Sequence, residues 1–92
     1  MIRSFRHRGL RRMYERGDPS RVSSDLAGRV ALALADLDEA RKPSDLDLPG
    51  YRLHPLKGDL KGFWSISISG NWRMVFRFDD GEVYDVDLID HH

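Results

Sequence analysis

From Phe63 onward the chain alternates apolar and polar residues almost without a break, and the alternation is interrupted only at Gly70-Asn71 and Asp80-Gly81. A period of two belongs to extended strands, and both dipeptides are of the kind that adopts the left-handed backbone of a tight hairpin. The final third therefore reads as an antiparallel meander of strands. Two-residue loops at both turns predict that Ile68 opposes Arg73, Ile66 opposes Val75 and Arg73 opposes Leu88. In that register one face carries Trp64, Ile66, Ile68, Val75, Val86 and Leu88, and the other carries Ser65, Ser67, Ser69, Trp72, Met74, Phe76 and Ile89. The aliphatic set is expected to meet whatever covers the sheet.

The cover comes from the first half of the chain. Ile2-Arg3-Ser4-Phe5 alternates like a short strand, and Arg8 to Arg16 follows with Leu10, Met13 and Tyr14 at helical spacing. Gly17-Asp18-Pro19-Ser20 stops that helix. Ser23 or Ser24 offers an N-cap oxygen to a second helix, with Asp25 in its first turn, where a negative charge suits the helix dipole. This helix is predicted to run to about Ala40, with Leu26, Val30, Leu34 and Leu37 as its apolar stripe, before Lys42-Pro43 ends it. Residues 43 to 50 form a connection. Tyr51 to His54 resumes an extended pattern, which Pro55 closes by holding His54 out of the helical region, so that Pro55 to Asp59 is a loop. The order gives an α+β architecture: a short N-terminal strand, two helices, then antiparallel strands with the helices on one face.

At 92 residues the chain has material for a single domain. It has no Cys, and with it no disulfide or thiolate zinc site, which is compatible with a reducing cytoplasm. No apolar run approaches the ~20 residues that span a bilayer, and no signal peptide is visible, so a cytoplasmic location without a membrane partner is expected. The net charge of zero speaks against a polyanionic partner, but its distribution does not. Seven arginines between Arg3 and Arg21 share their segment with Glu15 and Asp18 alone, and Arg52, Lys57, Lys61, Arg73 and Arg77 share theirs with Asp59, while the other acids cluster elsewhere. Such segregation either builds a positive face or merely solvates the elements.

The residue types that could carry chemistry fall in three places: Leu53-His54-Pro55-Leu56-Lys57-Gly58, Asn71-Trp72-Arg73 and Asp90-His91-His92. RNA is cleaved when its 2′-hydroxyl attacks the adjacent phosphate. That reaction needs a base, an acid for the departing 5′-oxygen, and cations for the extra negative charge. Imidazole, with an ordinary pKa of about 6.5, serves either proton role, and Lys and Arg supply the charge. His54, His92, Lys57 and Arg73 match those needs. Singly, each has a plainer reading: a surface His before Pro, a solvated loop Lys, an Arg stacked on Trp72, a purification-tag remnant at His91-His92. His7, His54, His91 and His92 lack the spacing of a zinc motif, so no metal is expected. No Gly-rich phosphate loop or nucleophile elbow is present, and no cofactor is expected.

Taken together, Met1-Ile2-Arg3-Ser4-Phe5, Leu53-His54-Pro55-Leu56-Lys57-Gly58, Trp64-Ser65-Ile66, Asn71-Trp72-Arg73 and Asp90-His91-His92 resemble, from end to end, the HigB/GraT branch of the RelE/ParE superfamily, toxins of type II toxin–antitoxin systems. The resemblance implies a small α+β sandwich and a ribosome-dependent endoribonuclease that cuts mRNA in the vacant decoding (A) site without metal. By matching positions it implies His54 and His92 as the acid–base pair, Asp90 as their partner, and Lys57 and Arg73 as phosphate stabilisers. It further implies that His91 stacks on RNA where relatives carry Tyr, and that Arg8, Arg11 and Arg12 grip ribosomal RNA phosphates. Ser69 stands where some relatives have Arg. The implied partner is an antitoxin of the HigA type, a helix-turn-helix protein through which DNA is contacted. Two alternatives share the fold: a non-enzymatic gyrase inhibitor like the ParE branch, which would not need His54 and the Asp90–His92 set, and a degenerate toxin kept as an antitoxin-binding regulator.

Overall fold

A computed structural model describes residues 1–90. Helix α1 spans Arg8–Arg16 and opens on His7, whose Nδ1 accepts the Leu10 N–H at 3.2 Å. It closes on Gly17, whose φ of 68° admits the left-handed cap and whose N–H donates to the Met13 carbonyl at 2.9 Å. Helix α2 spans Ser24–Glu39 and buries Leu26, Val30, Ala33, Leu34 and Leu37. Ser23 is its N-cap, but its hydroxyl makes no capping bond; its backbone carbonyl accepts from Leu26 and Ala27. The 43–50 connection contains a 3₁₀ turn at Pro43–Leu46, which sends Leu46 into the core.

Strands β1 (His54–Pro55), β2 (Trp64–Ser69), β3 (Trp72–Asp79) and β4 (Glu82–Asp90) form one antiparallel sheet in that order. The first strand is shorter than the Tyr51–His54 pattern predicts. Arg52 has a φ of 49°, which breaks the extended run, so Tyr51 meets β2 through a single bond from the Ser67 N–H (2.6 Å) and regular pairing begins only at His54. A second 3₁₀ turn, Gly58–Leu60, follows in what the sequence presents as plain loop. The N-terminal strand joins β4 in parallel at two isolated bridges, Ile2–Val83 and Phe5–Val86.

The register differs from the prediction by one residue at both hairpins. Near the first turn Ser69 pairs with Trp72, but one step on the pairs are Ser67–Arg73 and Ile66–Met74, so β2 holds an extra residue at Ile68. In the second hairpin Arg77 pairs with Tyr84 but Val75 with Asp87, so β4 is the longer by one across Asp85-Val86, and Arg73 faces Ile89 rather than Leu88. These are β-bulges, and a one-residue slip moves every later side chain to the other face. Met74 and Phe76 therefore join Ile66, Ile68, Val83, Val86 and Leu88 under the helices, and Val75 leaves that set for the open face.

The second bulge has an identifiable cause. Asp85 sits at a φ of 56°, its N–H donates to Ser4 Oγ (2.8 Å), and its carboxylate receives Arg77 Nε at 2.7 Å. The N-terminal strand, added to β4 at this point, supplies the hydroxyl that satisfies the displaced amide.

Asp38 of α2 ties the helices to the N-terminal strand. Its Oδ1 accepts the Tyr14 hydroxyl (2.5 Å) and the Ile2 N–H (3.1 Å). The Tyr14 bond, opposed by burial and aided by Ile2 and the N-terminal ammonium, holds the carboxyl below its ordinary 3.8. The Tyr14 hydroxyl is pushed up to about 12, first by Asp38 and then by burial. A carboxyl held below its unfolded value contributes stability in full above that value, and the contribution vanishes as pH falls through the lower folded value. The Tyr14 contribution is complete below 10 and disappears as pH rises through about 12. Asp38→Asn should accordingly cost about 1–3 kcal/mol at neutral pH and almost nothing in acid, so melts of wild type and variant converge as pH drops below about 4. A gap that persists at low pH would show that the carboxylate charge is not what holds these elements.

Candidate active site

The face of the sheet turned away from the helices carries His54, Ser65, Ser67, Arg73, Val75 and Ile89, placed there by the bulged register and by strand alternation. His54, Leu56, Ser65, Arg73, Val75 and Ile89 line one hollow of about 20 Å³. That is space for about one water, not for a base, so an extended ligand would lie across the face. Leu56, Val75 and Ile89 make its floor apolar, which strengthens any charge interaction above it.

His54 is exposed on the edge strand, opposite Ser65, and Pro55 opposite Trp64 fixes where β1 stops. Arg73 is half-buried at the centre of the sheet between β2 and β4, and its Nη1 donates to Ser67 Oγ at 2.7 Å. Two strand spacings, about 10 Å, separate the strands that bear them, and His54 is level with Val75, two residues along β3 from Arg73. Lys57 is exposed just before the Gly58–Leu60 turn, beside Leu56 but outside the hollow's lining. Asp90 ends β4 opposite Trp72, one residue along from Arg73. His91 and His92 lie outside the described residues. His54 and Arg73 thus share a hollow, whereas Asp90, paired with Trp72, ends the adjoining strand one step out of phase with Arg73 and Ile89.

A larger hollow of about 330 Å³ lies between α2 and the loop before β1. Its cation, Arg29, donates to the Ile68 carbonyl (3.2 Å), and its lining holds no acid–base pair. Among the described residues no cluster of three or more His, Asp or Glu could hold a metal ion.

A family model described as RelE-like toxin of type II toxin–antitoxin system HigB matches residues 3–92. The chain belongs to the HigB-like toxin family. Over its full length it is 40% identical to Endoribonuclease HigB of Proteus vulgaris, itself covered completely. It is 32% identical to Toxin HigB-1 of Vibrio cholerae serotype O1, with 99% of this chain and 98% of that one covered. Among solved structures it is similar to the YoeB-YefM complex from Staphylococcus aureus, with a TM-score of 0.63, 14% identity and coverage of 100% and 99%. It is also similar to a YafQ mutant from E. coli, with a TM-score of 0.60, 15% identity and coverage of 96% and 91%. These two establish the fold alone.

In this HigB-like toxin the sequence's two basic territories are partly cancelled in space. Arg3 pairs with Glu82 (3.1 Å), Arg77 with Asp85, and Arg12 directs both Nε and Nη2 at Asp18 Oδ2 (3.2 and 3.1 Å). The bonds to Ser20 and Arg12 hold the Asp18 carboxyl down at about 2. Of the three helix cations expected to grip RNA, Arg8 and Arg11 are exposed on α1, whereas Arg12 is engaged with Asp18. No helix among the described residues is long and apolar enough to cross a membrane. Ser67, which touches Arg73 from beside the hollow, is a residue that the sequence does not single out, as are Leu56, Ser65, Val75 and Ile89 in its lining. Ser67 reads as one polar residue in an alternating strand, and its role emerges only once the bulge makes it the cross-strand partner of Arg73.

Proposed function

We propose that this toxin is an endoribonuclease that cuts mRNA in the decoding site of the ribosome by attack of the 2′-hydroxyl on the adjacent phosphate. The observation that carries this reading is an exposed imidazole and a half-buried guanidinium over one apolar floor, in a chain 40% identical end to end with a protein named Endoribonuclease HigB. In this reading one of His54 and His92 removes the 2′-hydroxyl proton. The O2′–P bond then forms as the P–O5′ bond breaks, and the other histidine protonates the departing O5′, leaving a 2′,3′-cyclic phosphate and a 5′-hydroxyl. Arg73 and Lys57 stabilise the added charge on the phosphate, and Asp90 orients the terminal histidine. His91 stacks on a base, and Arg8 and Arg11 hold ribosomal phosphates.

The family is one of toxin–antitoxin pairs, and a structural relative was solved as the YoeB-YefM complex. An antitoxin is therefore the expected partner, here of the HigA helix-turn-helix type, with DNA contacted through it and the toxin acting in the cytoplasm. The test is to add purified protein to programmed ribosomes and map mRNA ends for wild type, His54→Ala and His92→Ala. Cuts with wild type that both substitutions suppress support the reading. Cuts unchanged by either, or no cuts together with inhibition of gyrase, would overturn it.

A further inference from the structure

We infer that Ser67 is a positioning residue, which holds the Arg73 guanidinium in the orientation that receives the scissile phosphate; this rests on the phosphodiester chemistry proposed above. Arginine carries five N–H donors on a flexible stem, and unless something fixes that stem, the stem must be ordered at the moment of reaction. Here Ser67 fixes it. The two residues are direct cross-strand partners, and Ser67 Oγ accepts from Arg73 Nη1 at 2.7 Å. A hydroxyl can steer a guanidinium only if it is itself immobile, and Ser67 is held from both sides. Its strand pairs with β3, and its N–H donates to the Tyr51 carbonyl at 2.6 Å. Tyr51 is anchored in turn by its hydroxyl, which donates to Asp36 of α2. Burial and that carboxylate push the Tyr51 hydroxyl up, so it remains a donor across the working pH range. The network runs from helix α2 through Tyr51 and Ser67 to Arg73, and gives the open face a guanidinium oriented before substrate arrives.

The bulge at Ile68 is what makes the arrangement possible. In the unbulged register Arg73 would oppose Ile68, an apolar side chain with nothing to accept its proton. The extra residue brings a serine opposite the arginine.

The experiment combines cleavage on programmed ribosomes with the NMR signal of the Arg73 side chain, for wild type, Ser67→Ala, Ser67→Thr, Arg73→Ala and the Ser67→Ala/Arg73→Ala double variant. Ser67→Ala should slow cleavage about 10-fold at saturating ribosome without weakening ribosome affinity, and Ser67→Thr should restore most of the rate, since it returns the hydroxyl. In the Arg73→Ala background, Ser67→Ala should add no further loss. Rotation about the Arg73 Nε–Cζ bond should be slow in wild type and Ser67→Thr, and fast in Ser67→Ala. A guanidinium equally restrained in Ser67→Ala, or a Ser67→Ala loss undiminished when Arg73 is already alanine, would overturn the inference. The catalytic reading fails separately: Arg73→Ala would cleave like wild type while the NMR signature still followed the Ser67 hydroxyl.

Discussion

Replacing His54 with alanine is expected to lower mRNA cleavage on programmed ribosomes by about 10²–10⁴-fold, the usual contribution of a positioned acid or base. The fold should not register the change. His54 is exposed on a two-residue edge strand, and substitutions at such sites stay within about ±0.5 kcal/mol. Activity and stability therefore separate, which distinguishes a lost proton-transfer group from an unfolded protein. His54→Gln sharpens the test, since it keeps hydrogen-bonding capacity and length but transfers no proton, and it should fall as far as alanine. Full activity in the glutamine variant would reduce His54 to a hydrogen-bonding contact.

The helices were legible in the sequence because their signals are local. Arg8–Arg16 begins and ends where the spacing of Leu10, Met13 and Tyr14 and the glycine after Arg16 say it should. The two hairpin turns were legible for the same reason. The bulges were not. At Asp85 a non-glycine residue takes a left-handed backbone, and the groups that stabilise it there, Ser4 and Arg77, are distant or unremarkable in sequence. Ile68 continues the apolar alternation, so nothing marks it as an extra residue. The pairing of charges was hidden likewise: Arg3 and Glu82 are far apart along the chain and meet only because the N-terminal strand lies beside β4. For the site, residue chemistry pointed to His54 and Arg73, but their common hollow and the seat provided by Ser67 depend on that register. What sequence reading misses here is parity along strands, which a single inserted residue reverses.

Parity has a consequence for stability that separates the two registers. Phe76 is fully buried beneath the helices, edge-on to Phe78 with ring centroids 5.9 Å apart, so Phe76→Ala should cost about 3–5 kcal/mol. A domain of this size has roughly 5–15 kcal/mol in all and loses about 4–8 °C of melting temperature per kcal/mol, so the variant should sit near the edge of folding at growth temperature. Val75 is its neighbour and almost as well buried, but it belongs to the open face and lies outside the cluster under the helices. Val75→Ala should cost only about 1–2 kcal/mol, the transfer free energy of the methyl groups removed. Urea melts of the two variants give the comparison directly, with unchanged slopes if both unfold from the same compact state. In an unbulged sheet Val75 would lie beneath the helices and Phe76 would take the other face, so the cost of Val75→Ala would rise and that of Phe76→Ala would fall. A larger loss from Val75→Ala would therefore remove the bulge at Asp85-Val86, and with it the pairing that sets Arg73 opposite Ile89.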